Sequence, residues 1–393
     1  MQFNTIWIVT FLICSCFSLT LSAQSFEREY FNTPTEPGQE VHVVLDDTSA
    51  FFVAGTYTTS QSPAALAITK IDTNGQVVWS TQDFDNTSYP SYGNRILFVE
   101  KSGDGHIYAI VRINSNLKIW KVDALTGAFV WRVPMTLPAI TNTHYIGLTE
   151  IGNNRLFFSY RDSNGGTVNY WGVYYDKSTG AKLNDIRLYH GINGGLTYDG
   201  QGYIYYAGVD SIFKMPEDTL NMPVWKAPTP NEIRIRKIHI EPTLGQVYYF
   251  GTKKFGEGGA GEYDPTNGNL LWSYFFTGNY SANYSDMEMT NNHIYITWQH
   301  TYVGGGSTRV LTSKIARNTG ALAWEVNHTF TGKTGRAAAY GLDLDENDNV
   351  YLTGYANDAN YGPEEWFVFK LNGSNGNKIY EVLLTEDETR RDK

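Results

Sequence analysis

Three observations in this 393-residue sequence predict an all-β fold of repeated four-stranded units. A two-part phrase occurs seven times: an apolar-Tyr strand, then about twenty residues later a turn closed by Gly and followed by an aromatic residue. A short alternating segment precedes each Tyr strand, and polar turn residues separate the segments. With a leader set aside, each copy has about 53 residues, room for four short antiparallel strands. Together these give a seven-bladed β-propeller of four-stranded antiparallel blades.

Each element follows from its residues. First strands are alternating segments such as 41–45, 96–99, 238–240 and 341–344. Second strands are the Tyr segments at 51–55, 107–108, 156–157, 204–208, 247–251, 294–295 and 350–354, reached through hairpin turns such as Gly103-Asp104-Gly105 and Asn347-Asp348-Asn349. Third strands, such as 67–71 and 367–371, lead into the turn phrase, where Thr-Gly or Asn-Gly supplies a positive backbone angle. The turn runs Asp72 to Gly75, Asp123 to Gly127, Asp176 to Gly180, Asp264 to Gly268, Arg317 to Gly320 and Asn372 to Gly376, and it diverges in the fourth copy between Asp218 and Trp225. Fourth strands begin at Trp79, Trp131, Trp225, Trp272, Trp324 and Tyr380. A ring at a fixed place in each blade buries about 150–250 Å² between twisted sheets, so these aromatics are read as packing.

The organisation reads 1–23 signal peptide, 24–384 propeller and 385–393 charged tail. The leader has an apolar run from Ile6 to Leu21 ahead of Ser22 and Ala23, short for a membrane span. Both cysteines, Cys14 and Cys16, fall inside it, so the mature chain is held by packing and not by disulfides. Segment 26–31 is surplus to the seven phrases, and both it and 379–383 compete for the outer edge where the ring closes. The formal charge of −10, without a basic stripe, excludes nucleic acid and anionic membranes as expected partners. Sequons at Asn86, Asn279, Asn283, Asn327 and Asn372 are candidate N-glycosylation sites.

The segment 348–354 followed by 367–371, and the Asp-x-x-Thr-Gly-x-x-x-Trp phrase from Asp123 to Trp131, resemble the bacterial-type β-propeller repeat and the related quinoprotein-like (PQQ-like) repeat. The resemblance covers about residues 41–384 and is specific for fold. It implies activities as different as alcohol oxidation, envelope assembly and extracellular binding. The quinoprotein dehydrogenases of this family hold the quinone under a vicinal disulfide, beside calcium and a catalytic aspartate; a mature chain without cysteine departs from that pattern.

The search for chemistry otherwise returns little. Residues 343–348 have alternating oxygen ligands but no Gly at the sixth place of a calcium loop, and Gly354 stands where the twelfth needs Glu, so the segment reads as a hairpin turn. The eight histidines form no pair at metal-ligand spacing, and no nucleophile elbow or phosphate loop is present. No catalytic residue, metal or cofactor is therefore expected. Binding is expected at a channel mouth. Cations before several first strands, Arg95, Arg234, Arg236, Lys333 and Arg336, are the candidate anion or carboxylate site. Loops 161–171, 252–263, 299–309 and 356–366 break the repeat and carry Trp171, Tyr302, Tyr361 and Trp366, candidate stacking faces for carbohydrate. The function expected is a secreted non-catalytic scaffold for a macromolecule or polymer outside the cell, a protein or polysaccharide, in an extracellular or mineralised matrix. The alternatives are a lyase or hydrolase acting at the channel mouth and, if Cys16 is lipidated, an envelope assembly lipoprotein.

Overall fold

The computed structural model describes residues 42–384 apart from 47–49, 60–61, 73–76, 85–94, 114–115, 138–142, 153, 165–166, 189–193, 209, 220–221, 242–244, 253–257, 277–284, 302–307, 331–334 and 358–363. Blade 1 comprises β1 (His42–Asp46), β2 (Ala50–Thr59), β3 (Ser62–Asp72) and β4 (Val77–Phe84), and blade 2 comprises β5 (Arg95–Lys101), β6 (His106–Ile113), β7 (Asn116–Asp123) and β8 (Phe129–Pro134). Blade 3 holds β9 (Thr143–Ile151), β10 (Arg155–Asn164), β11 (Thr167–Asp176) and β12 (Lys182–Leu188); blade 4 holds β13 (Gly194–Tyr198), β14 (Tyr203–Ala207), β15 (Ser211–Pro216) and β16 (Trp225–Pro228). Blade 5 is β17 (Arg234–Ile240), β18 (Val247–Thr252), β19 (Gly258–Tyr263) and β20 (Leu270–Phe276), and blade 6 is β21 (Ser285–Met289), β22 (His293–Thr301), β23 (Thr308–Ala316) and β24 (Leu322–His328). Blade 7 is β25 (Ala337–Leu344), β26 (Val350–Asn357), β27 (Glu364–Leu371) and β28 (Lys378–Leu384).

Every blade is an antiparallel sheet with its strands in chain order. First strands touch around a closed circuit, β1 to β5, β9, β13, β17, β21, β25 and back to β1, so they surround the central channel and the fourth strands form the rim. Each blade is self-contained, and the ring closes by packing of β25 on β1. Residues 379–383 lie in β28, the outer strand of blade 7, while segment 26–31 lies outside the described residues. All four of the expected loops turn out shorter: 161–171 is mostly strand of β10 and β11, β19 takes up 258–263 of the loop 252–263, and strand pairing likewise invades 299–309 and 356–366. Alternation carries the apolar pattern outward past the repeat phrase, and two chains that both alternate continue to pair. Among the described residues no helix is long and apolar enough to cross a membrane.

The core lies between blades. One cluster joins Leu97, Tyr108 and Ile119 of blade 2 to Leu156, Phe158 and Val173 of blade 3, and another joins Tyr295 and Val310 of blade 6 to Leu342, Leu352 and Phe369 of blade 7. The Trp of one blade covers the turn Gly of the next. A Cβ on Gly320, whose φ is +68°, would fall 2.5 Å from the Trp272 ring, so this turn needs glycine for both conformation and space. Trp79, Trp131, Trp225 and Trp324 sit in the same way over Gly127, Gly180, Gly268 and Gly376.

Candidate functional site

Strand register places one residue from each strand in a row across the blade. The rows are Glu100–Tyr108–Lys121–Trp131 in blade 2, Thr197–Tyr205–Lys214–Trp225 in blade 4, Glu288–Tyr295–Lys314–Trp324 in blade 6 and Asp343–Tyr351–Lys370–Tyr380 in blade 7. Blade 1 reads Val44–Phe52–Lys70–Trp79, blade 3 Thr149–Phe157–Tyr174–Asn184 and blade 5 His239–Tyr248–Glu262–Trp272.

The outer part of this row is a clamp onto the next blade. The third-strand Lys crosses to a backbone carbonyl in the neighbouring turn: Lys70 to Ala124 (3.2 Å), Lys121 to Lys177 (3.3 Å), Lys214 to Pro265 (3.1 Å) and Lys314 to Gly373 (2.7 Å). Indole N–H groups of Trp225 and Trp324 donate to the same carbonyls, of Pro265 and Gly373. Blade 3 keeps the bond with a different donor, Tyr174 Oη to the Glu217 carbonyl at 2.7 Å. Blade 5 reverses the charge. Glu262 replaces Lys there and accepts from Trp272 Nε1 at 2.7 Å, and Arg317 stands in the facing turn over the Tyr248 ring. The Lys, Trp and Tyr174 donors are structural, because each satisfies a carbonyl that the blade interface would otherwise bury unpaired; in blade 5 Trp272 Nε1 also donates to the Arg317 carbonyl at 2.9 Å.

The inner end of the row lies beside the channel. Glu100, Thr149, Thr197, His239, Glu288 and Asp343 stand near the C-terminal ends of their first strands, at the face that carries the turns within each blade. Two polar groups link these positions. Between blades 2 and 3, Glu100 Oε1 accepts the Glu150 N–H (3.4 Å), Ser102 Oγ donates to Glu150 (2.5 Å), and the Lys177 ammonium reaches Ser102 (2.8 Å), Asp104 (3.3 Å) and Glu150. Burial pushes the Glu100 carboxyl up to about 7; the Glu150 N–H acts against that, the Glu150 charge adds to it and Lys177 reduces it. Asp104 moves the other way: burial opposes its charge, yet hydrogen bonds from Ser102, Tyr108 and His106 hold it below the usual carboxylate range.

Across blades 5 to 7, Lys237 Nζ is 2.5 Å from Asp286 and 2.8 Å from Glu288, and Asp286 also accepts the Leu342 N–H at 3.0 Å. Burial alone would lower the Lys237 pKa, but these two carboxylates raise it. His239 nearby is lowered, chiefly by burial. The two channel acids of blade 6 are therefore paired with a lysine of blade 5. Among the described residues no group of three or more His, Cys, Asp or Glu could hold a metal, and the repeat has no cysteine. That donor set does not fit the quinone and calcium of the quinoprotein dehydrogenases.

The sequence-selected cations lie at the opposite face, with the hairpins between second and third strands and the connections between blades. Arg95 and Arg234 open β5 and β17, and Arg336 directly precedes β25, so these three stand on blades 2, 5 and 7, no two of them adjacent. Arg236 is the bulged residue of β17, close enough for the Arg234 charge to act on it, and Arg234, Arg236 and Arg336 are exposed. Lys333, Tyr302, Tyr361, Asn86, Asn279 and Asn283 lie outside the described residues. Trp171 is half-buried within β11 against the core between blades 2 and 3, and Trp366 lies in β27 opposite Tyr355 and Leu384. Asn327 is half-buried on β24. Asn372 closes its turn by accepting from Ser374 N (2.8 Å) and Oγ (2.6 Å). At 343–348 the expected hairpin turn forms, with Asp345 accepting from Asn347 and Asn349 and pairing with Lys370 at 3.0 Å. The repeat Lys and the inner-row ring went unseen in the sequence. Aligning copies on the Tyr would have exposed both, since the inner residue precedes it by seven to nine positions and the Lys stands two before the turn Asp in blades 1 and 2.

No protein-family model matches the chain, and no curated protein matches it. Solved structures do. Dihydro-heme d1 dehydrogenase NirN in complex with DHE superposes with a TM-score of 0.54 at 11% identity, over 88% of this chain and 67% of that one. Quinohemoprotein alcohol dehydrogenase from Comamonas testosteroni gives 0.51 at 13% identity, over 89% and 67%, and ADHIIG from Pseudomonas putida HK5 gives 0.51 at 14%, over 91% and 68%. These likenesses show the fold, a β-propeller.

Proposed function

We propose that this chain is a secreted, non-catalytic propeller scaffold that binds a polymer outside the cell, an anionic polysaccharide or protein, through the face carrying Arg95, Arg234, Arg236 and Arg336. One observation carries the reading. The repeat Lys of blades 1, 2, 4 and 6 and the Lys237–Asp286 pair are bonded across blade interfaces, and Arg234, Arg236 and Arg336 stand exposed at the opposite face, where the blades differ. Guanidinium groups suit carboxylate or sulfate partners through paired N–H donors. Secretion rests on the apolar leader and the cysteine-free repeat.

The test is co-sedimentation of the mature protein with insoluble polymers of both charge signs, at low and high salt, beside an Arg234→Glu, Arg236→Glu double variant. The reading expects binding to anionic polymers that salt and the double variant both weaken. Binding unaffected by charge reversal, or none to any polymer, overturns it. A second reading, a lyase or hydrolase at the channel mouth, is favoured by Glu100, a carboxyl pushed up to about 7 beside the channel. Polymer degradation abolished by Glu100→Gln would replace the first reading with this one.

A further inference from the structure

In three blades the turn residue whose carbonyl accepts a bond from the preceding blade also sends a long side chain into the seam. Lys177 reaches Ser102 (2.8 Å) and Asp104 (3.3 Å) of blade 2 and Glu150 of its own blade. Glu217 reaches Arg155 of blade 3 at 2.8 Å, and Arg317 reaches Gln246 of blade 5 at 3.3 Å. In blade 2 the same place is held by Ala124, whose carbonyl takes the Lys70 bond. A methyl group does not fill what a lysine fills. The seam between blades 1 and 2 accordingly contains a cleft of about 320 Å³, formed by Lys70 of blade 1 with Lys101, Gly103, Gly105, Ala124 and Leu125 of blade 2. Among the described residues its lining holds two lysines and no carboxylate. A β-carbon on Gly103 or Gly105 would meet nothing within 4 Å, so that wall is open to an entering molecule, and Leu125, 77% exposed, forms an apolar lip.

Strand register shows what the cleft lacks. Lys70, Lys101 and Ala124 correspond to Lys121, Glu150 and Lys177 one blade on. Lys70 and Lys121 each lie opposite the repeat Trp, Lys101 and Glu150 each follow the inner-row residue, and Ala124 and Lys177 each follow the turn Asp. Between blades 2 and 3 the first strand supplies an acid and the turn inserts a base. Between blades 1 and 2 the first strand supplies a base and the turn inserts nothing. The complement is an acid on a short stem, the arrangement that Glu217 makes with Arg155 within the chain. We propose that this cleft binds a small aliphatic carboxylate, with its carboxyl group on Lys101 beside Lys70 and its methylene groups against Ala124 and Leu125. The ammonium–carboxylate bond is charge-assisted, and the volume is at the small end of ligand pockets. The cleft is at the turn face, opposite Arg234 and Arg236, so the site is independent of the polymer reading.

The experiment is isothermal titration of the full mature chain with glutarate, beside butylamine as the probe of charge sign and inorganic phosphate as the probe of the stem. Glutarate is expected to bind at a single site and butylamine not to bind. Phosphate, which buries no methylene, should bind at least about tenfold more weakly than glutarate. Lys101→Gln removes one charge-assisted bond and should raise the glutarate dissociation constant about tenfold or more. Ala124→Glu supplies the acid from the chain itself, as Glu217 does in blade 4, and should abolish glutarate binding with a melting temperature at or above the native one. Should that variant fail to fold, the partly exposed Lys101 substitution still decides the matter. No glutarate binding at millimolar concentration, butylamine or phosphate binding as tightly as glutarate, or glutarate binding unchanged by either substitution would each overturn the proposal.

Discussion

Lys314, Trp324 and Tyr295 all donate to one acceptor, the carbonyl of Gly373, at 2.7, 3.1 and 3.4 Å. The Lys is buried over the Tyr295 ring, so its ammonium has little water to return to. Lys314→Met keeps the stem and removes the charge-assisted bond. It should cost about 1–3 kcal/mol in urea unfolding, and no measurable loss would contradict the clamp. His328 and Glu100 give opposite pH responses. His328 is buried against Phe369 and bonds Thr312 at 2.9 Å, and burial, then Lys378, lowers its pKa to about 3. Its unfolded form takes a proton near 6.5 while the folded form stays neutral, so stability falls as pH drops from about 6.5 to 3, by up to about 4–5 kcal/mol. A His328→Phe, Thr312→Val pair should flatten that acid limb in denaturation at pH 7 and pH 4. Glu100, raised to about 7, stabilises fully below its unfolded value of 4.5, and the contribution is lost as pH rises through 7. Glu100→Gln should therefore remove a decline between pH 5 and 8.

At the scale of elements, the two departures from the repeat meet at one interface. Blade 3 has Asn184 where five blades have Trp, and the facing turn of blade 4, between β15 and β16, lacks the glycine phrase. Arg155 instead joins Glu217 at 2.8 Å and Asp218 at 3.7 Å across this seam, beside the Tyr174 bond to Glu217. A ring packed on a glycine is replaced by a partly exposed ion pair, which holds less. Trp272→Ala should then cost about 3–5 kcal/mol, and Asn184→Ala, at the same repeat position, within about 0.5 kcal/mol of nothing. Equal effects in chemical denaturation would show that the row positions are not equivalent. The seam was half legible in the sequence: the divergent hairpin stood out, but Asn184 was hidden because a Gly turn of ordinary form precedes it.

For the whole molecule, ring closure by β25 on β1 without exchange of strands means that joining residue 384 to residue 42 repeats the connection that every other blade pair already has. A circular permutant with that join, as long as segment 277–284 and with new termini opened there, should fold to a melting temperature within a few degrees of the native chain. Failure to fold would show that the chain ends take part in closing the ring.

The blade number, the strand order within each blade, the turn glycines and the packing Trp were all set by local sequence, because alternation and turn chemistry act over a few neighbouring residues and the period repeats them. The neighbour of each side chain was not local. Lys121 and the carbonyl of Lys177 are remote along the chain, as are Glu100 and Glu150, and only the stacking of blades about the axis brings them together. The same stacking puts three of the sequence-selected arginines on blades 2, 5 and 7 of one face and places Glu100, His239, Glu288 and Asp343 at the other. Sequence thus determined the propeller, and tertiary structure decided which polar residues are bound into its interfaces, since a contact across blades depends on the closure of the ring and not on the segment that supplies it.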